Sequence, residues 1–165
     1  MVSYNIDWSR KTNAEAWGCS DNRRYHAVFG ISKNEYSLFK RARMCKKYKF
    51  SSKTLDLKLY AFFVAEHIIL IRKKVGIKDG DYFIICPDRP GHHADVINLT
   101  LDFLTKRGIH LNKECLKIGS SKGSLAHVFA NSFVKKSKIF PKKIHIKKYA
   151  FKEFDIAIGR KRKKF

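Results

Sequence analysis

The sequence has no glutamine and few acids. Its 14 Asp and Glu stand against 36 Lys and Arg, for a formal charge of +22 at pH 7. An excess of one sign repels itself unless a polyanion lies nearby. Nucleic acid answers that need best, because each neutralised phosphate releases counterions; an anionic membrane is the other polyanion of this kind. Missing glutamine with abundant lysine is a tendency of hyperthermophile proteins, and an AT-rich genome gives a similar bias. No CxxC pair occurs among the four cysteines, Cys19, Cys45, Cys86 and Cys115. Their wide spacing argues against a zinc ribbon or a thioredoxin-like motif. It fits small core residues in a reducing, cytoplasmic setting. The longest apolar run, "LYAFFVAEHIILI", carries Glu66 and His67 and is too short to span a bilayer, so no membrane insertion is expected. The start, "MVSYNIDWSR", lacks a signal-peptide pattern. Neither an internal repeat nor a clear interdomain linker breaks the chain.

What is present suffices for one globular core: 44% hydrophobic and 13% aromatic residues over 165 positions. "VSYNIDWS" alternates, with Val2, Tyr4, Ile6 and Trp8 on one face and Ser3, Asn5, Asp7 and Ser9 on the other, which predicts a strand. "AEAWGCS" and "YHAVFGI" read as two more, joined by short polar turns into an antiparallel meander. Ser32 and Glu35 form a capping box before a basic helix near 33–48. "FSSKT" caps a second helix over roughly 54–74, apolar nearly all round and hence deeply packed, with Gly76 as its C-terminal stop. "YFIIC" reads as a central parallel strand. A helix from about His92 to Arg107 follows, then the strand "CLKIG", the loop "SSKGS" and the helix "LAHVFANSFVKK". The tail beyond holds one or two strand-like runs and a basic cluster.

The stretch "FIICPDRPGHH" ends an apolar strand on an acid, Asp88, set between two prolines in a chain short of acids. Asp88 there is either a turn residue or one wall of a cation site. Asp7 poses the same choice on the polar face of the first strand. His92 and His93 are adjacent and cannot converge on one ion from a helix; a role at the helix start, or contact with a phosphate there, fits them better.

Three meander strands, then helix, strand, helix, strand, helix is an order that resembles the ribonuclease H-like superfamily over residues 1–136. The resemblance implies an α/β fold with a mixed five-stranded sheet flanked by helices: a three-strand antiparallel meander plus two parallel strands. The basic helix near 33–48 is then an insertion, and residues 137–165 form a basic C-terminal extension. It implies acids that bind divalent metal, Mg²⁺ or Mn²⁺. Asp7 matches the first-strand acid and Asp88 the acid after the fourth strand. Asp56, early in the long helix, is preferred to Glu66 for the helix acid. Asn131 stands where the last helix usually carries an Asp, with His127 one turn before it; Asp155 substitutes if the tail folds back.

Such a site would make the protein a metal-dependent nuclease or a related resolvase, with carboxylates holding cations that assist phosphodiester hydrolysis. Lys122 or His127 would assist water access or product release. Basic segments interleaved with aromatics are expected to meet DNA or RNA phosphates: Lys40, Arg41, Arg43, Lys46 and Lys47 on the inserted helix, Lys122 in its loop, and Arg160, Lys161 and Arg162 at the end. The alternatives are a non-catalytic nucleic-acid-binding protein on the same fold, or a packaging protein of a virus or mobile element.

Overall fold

A computed structural model describes residues 1–11, 14–31, 38–135 and 144–159, without the side chains of 38–40 and 151. The capping box at Ser32–Glu35 and the basic residues Arg160, Lys161 and Arg162 lie outside the described residues.

The chain runs β1 (Ser3–Lys11), β2 (Ala14–Ser20), β3 (His26–Ile31), α1 (Leu38–Tyr48), α2 (Ser52–Lys74), β4 (Tyr82–Ile85), α3 (His93–Lys106), a 3-10 turn (Lys113–Cys115), β5 (Leu116–Ile118), α4 (Leu125–Lys135), β6 (His145–Tyr149) and α5 (Phe151–Gly159). One mixed sheet has the order β5-β4-β1-β2-β3-β6. β1, β2 and β3 pair antiparallel, while β4 joins β1, β5 joins β4 and β6 joins β3 in parallel. The protein is thus α/β, with a six-stranded mixed sheet flanked by helices.

The sixth strand corrects the expected count of five. "HIKKY" carries two lysines and reads as tail, yet Tyr149 is buried in the main core and anchors it. The exposed lysines also suit an edge, where charge discourages further pairing. α5 follows, with Phe154 and Ala157 in the same core, so residues 145–159 pack on the sheet that the rest of the chain builds.

The local causes are those expected from the sequence. In the β2–β3 turn, Asp21 Oδ1 accepts from the amides of Arg23, Arg24 and Tyr25, each at 2.9 Å, and Asn22 takes φ +59°. Ser51 caps α2 by accepting from Thr54 N at 3.0 Å. Gly76, at φ +80°, ends that helix with its amide on Ile71 O. α2 is buried nearly all round because the sheet, α1, α3 and α5 surround it.

α2 and α3 belong to one side of the sheet, where Trp17 stacks on Phe63 at 4.0 Å. α4 packs against β1, β2 and β3 through a second cluster with Ala16, Val28, Phe129 and Val134. That contact needs glycine: a Cβ on Gly18 would lie 2.0 Å from Ala126 O. The close approach covers the polar face of β1 and brings α4 onto Asp7. Among the described residues, no helix is long and apolar enough to cross a membrane.

Candidate metal centre

Asp7 and Asp88 meet. The parallel register pairs Ile6 with Ile85, and Cys86 N donates to Ile6 O at 2.9 Å. Pro87 has no amide to continue the ladder, so the chain turns away at the next residue. That exit carries Cys86 and Asp88 beside Asp7. One carboxylate oxygen from each aspartate and the Cys86 sulfur all lie within 4.8 Å of one another.

Asp7 is 2% exposed, because α4 covers its face of the strand. Its Oδ1 accepts from Trp8 N at 2.7 Å, and its Oδ2 accepts from His127 Nδ1 at 2.7 Å. Asn131, one turn further on α4, donates from Nδ2 to His127 Nε2 at 2.9 Å, and its Oδ1 accepts from Ser9 Oγ at 2.7 Å. The chain Ser9 to Asn131 to His127 to Asp7 therefore runs in one direction and sets the imidazole proton on Nδ1. His127 and Asn131 are i and i+4, so one helical face presents both.

Asp88 is less well served. Its Oδ2 is shut off from solvent and has no hydrogen-bond partner among the described residues. Burial, above all, pushes its carboxyl above the usual range; the Cys86 thiol beside it opposes the shift, and the charge of Asp7 adds to it. A buried carboxylate oxygen without a donor beside a second carboxylate is costly unless a cation neutralises it. The donor set thus fits a divalent ion held by Asp7 and Asp88, with Cys86 adjacent. The Tyr60 hydroxyl donates to Cys86 O at 2.9 Å, which fixes the backbone at the strand exit. Arg89 lies over the Trp8 ring at 4.3 Å, a cation on an aromatic shelf next to the aspartates.

The helix acids do not join them. Asp56 is paired with Arg41 and, at 3.7 Å, with Arg10. Both arginines also reach Glu15, itself 2% exposed, at 3.5 and 3.2 Å. The buried Glu15 on β2 and the half-buried Asp56 on α2 share these cations, and α1 supplies Arg41. Glu66 accepts from Arg107 Nη2 at 3.1 Å and from Tyr149 Oη at 2.8 Å, since its helix face turns toward α3 and β6. Asn131 reaches Asp7 only through His127. Asp155 does fold back with the tail, but onto α1, where it takes Lys47 Nζ at 2.9 Å and Tyr48 Oη at 2.5 Å.

The expected phosphate contacts divide in the same way. Arg41 is 5% exposed and held by Glu15 and Asp56, and Lys47 is held by Asp155. Arg43, Lys46 and Lys122 are exposed, while the side chain of Lys40 lies outside the described residues. His92 Nδ1 pairs with Asp95 at 2.8 Å at the start of α3. Sequence reasoning passed over Cys86 and Arg89 as parts of the centre, and over Tyr60 and Ser9 as its supports. Only His127 carried a readable signal, one helical turn before Asn131.

Comparison with family models, with curated proteins and with solved structures found no match to this chain.

Proposed function

We propose that the protein is a divalent-metal-dependent nuclease of the ribonuclease H-like class, hydrolysing phosphodiester bonds in structured DNA or RNA. The observation that carries this reading is the convergence of Asp7 and Asp88 in a chain of +22. The strand order β5-β4-β1-β2-β3 supports the class, since it places an acid of β1 beside one leaving β4. Four free cysteines suit a reducing, cytoplasmic location.

Asp7 and Asp88 would hold the ion, which when bound supplies charge neutralisation at the phosphate and an acidified water. His127 keeps Asp7 in one orientation, and Asn131 and Ser9 keep His127 in one tautomer. Arg89, on its Trp8 shelf, and the exposed Lys122 would draw the scissile phosphate in. Arg43 and Lys46 on α1 would track the backbone further out. In the reaction a water oxygen bonds to phosphorus as the bond to the leaving oxygen breaks.

A second reading, a non-catalytic nucleic-acid-binding protein, draws on one observation: Asp56 is engaged by arginines, so among the described residues the centre has two carboxylates and not three. Labelled DNA, RNA and hybrid substrates incubated with Mg²⁺ or Mn²⁺ separate the two. Cleavage lost in Asp7→Asn and Asp88→Asn, but kept in Asp56→Asn and Glu66→Gln, is the expected result. Binding without cleavage under every metal condition supports the second reading.

A further inference from the structure

The cluster that holds the two aspartates also holds a sulfur, and the ribonuclease H-like reading makes no use of it. We propose that this centre, taken as the metal site of that reading, binds a thiophilic divalent ion of the zinc or cobalt kind. Cys86 Sγ serves as a ligand beside Asp7 and Asp88, and the site prefers such an ion to Mg²⁺.

Three observations carry this. The first is geometric. The sulfur and one oxygen of each aspartate lie within 4.8 Å of one another. A tetrahedral ion about 2.0 Å from oxygen and about 2.3 Å from sulfur holds its ligand atoms roughly 3.3–3.5 Å apart, so side-chain adjustments of up to about 1.5 Å bring all three onto it. The ligands come from β1 and from the exit of β4, whose positions the sheet sets. The Cys86 backbone is held from two sides, its amide on Ile6 O and its carbonyl on Tyr60 Oη, each at 2.9 Å.

The second observation is an unserved hydroxyl. Ser121 is 1% exposed, and its Oγ makes no well-formed hydrogen bond among the described residues. Its neighbour is the Cys86 sulfur. A buried hydroxyl without an oxygen or nitrogen partner is costly beside a neutral thiol, and it becomes a useful donor once the sulfur is a metal-bound thiolate.

The third is the short supply of hard ligands. Mg²⁺ wants oxygens in a near-octahedral set. Asp56 and Glu66 are bonded elsewhere, and Asn131 is occupied by His127 and Ser9. Two carboxylates, one thiolate and one open place for water match the three-ligand pattern of a reactive zinc-type centre. Sulfur shifts selectivity toward Zn²⁺ and Co²⁺. On binding, the Cys86 proton leaves to solvent and the sulfur lone pair goes to the ion.

Titration of the full-length protein with Co²⁺, followed by absorbance, tests this without reference to activity. The expected result is a sulfur-to-cobalt charge-transfer band at one equivalent, abolished by Zn²⁺ and left standing by a large excess of Mg²⁺. Cys86→Ser should remove the band and weaken Co²⁺ binding by about 10–100-fold or more, while Cys115→Ser and Cys45→Ser keep it. The wild-type band stands as a measurement even if Cys86→Ser fails to fold. Co²⁺ binding without a sulfur band, lost in Asp7→Asn and unchanged in Cys86→Ser, overturns the sulfur ligand and leaves the cation site intact. If the wild-type protein takes up neither Co²⁺ nor Mg²⁺ nor Mn²⁺, the sulfur proposal and the metal-centre reading both fail.

Discussion

His127 Nδ1 and Asp7 Oδ2, 120 residues apart in the chain, are joined by a 2.7 Å hydrogen bond across the interface between α4 and β1. The link ties a carboxylate buried on the sheet to a helix that reaches it because β2 has a glycine where that helix crosses.

If the imidazole orients Asp7, then His127→Ala should lower metal-dependent cleavage by about 10–100-fold, the usual cost of losing a ligand's supporting hydrogen bond. Nucleic-acid affinity at fixed salt should stay within a factor of about two, because one partly exposed imidazole adds little to phosphate binding at this net charge. Asn131→Ala should produce a smaller loss in the same direction. Cleavage kinetics beside binding isotherms measure both.

Gly18→Ala tests the helix packing. The added methyl would meet Ala126 O, which is backbone and cannot swing aside. The helix must shift, and a destabilisation of about 1–3 kcal/mol is expected from overpacking. Cleavage should fall further than stability does, since the shift draws His127 from Asp7. Urea unfolding together with single-turnover cleavage separates the two effects.

The ionic cluster Arg10, Glu15, Arg41 and Asp56 is structural. Arg41→Ala should cost about 3–5 kcal/mol, because it leaves the buried Glu15 short of a cation. Glu15→Gln should cost less, since it leaves no uncompensated buried anion. Denaturant midpoints at constant slope give the comparison.

His67 predicts an acid sensitivity. It is fully buried, stacked on Phe29 at 4.0 Å, and donates from Nε2 to Trp17 O at 2.8 Å. Burial lowers its pKa to about 3. The folded state favours neutral imidazole, so its contribution to stability is whole above the unfolded value near 6.5 and is lost as pH falls toward 3. The expected slope is about 1.4 kcal/mol per pH unit across that window. His67→Phe should remove this component of the pH dependence, measured as the difference between the two proteins in urea unfolding from pH 7 to pH 4.

Salt should weaken nucleic-acid binding steeply. Charge reversal at Arg43 and Lys46, both exposed on α1, should lower the slope of log affinity against log salt by roughly 0.7–0.9 for each phosphate that is no longer neutralised. The same change at Arg41 should act mainly through stability. Filter binding at several salt concentrations distinguishes them.

Much of this protein could be read from its residues in order. Alternation in "VSYNIDWS" marks β1, Ser51 and Gly76 bound α2, and apolar character nearly all round marks α2 as buried, while β4 is fully buried only at Phe83 and Ile85. These signals are local: a period, a cap, a turn residue. Asp7 and Asp88 were legible as a pair because each sits at a position that the strand order of a meander followed by parallel strands makes special.

What the linear chain by itself determined, then, was the elements, the excess of positive charge and two candidate acids. Only the tertiary structure decided which charges are occupied. Asp56 and Glu66 look as available as Asp7 until Arg41 of α1, Arg107 just past α3 and a tyrosine from the tail are packed against them. Cys86 looks like a small core residue until the parallel register of β4 sets its sulfur beside Asp7. The physical reason is common to all of these: pairing and desolvation depend on distances between segments remote in sequence, and those distances are set by how the helices cover the sheet.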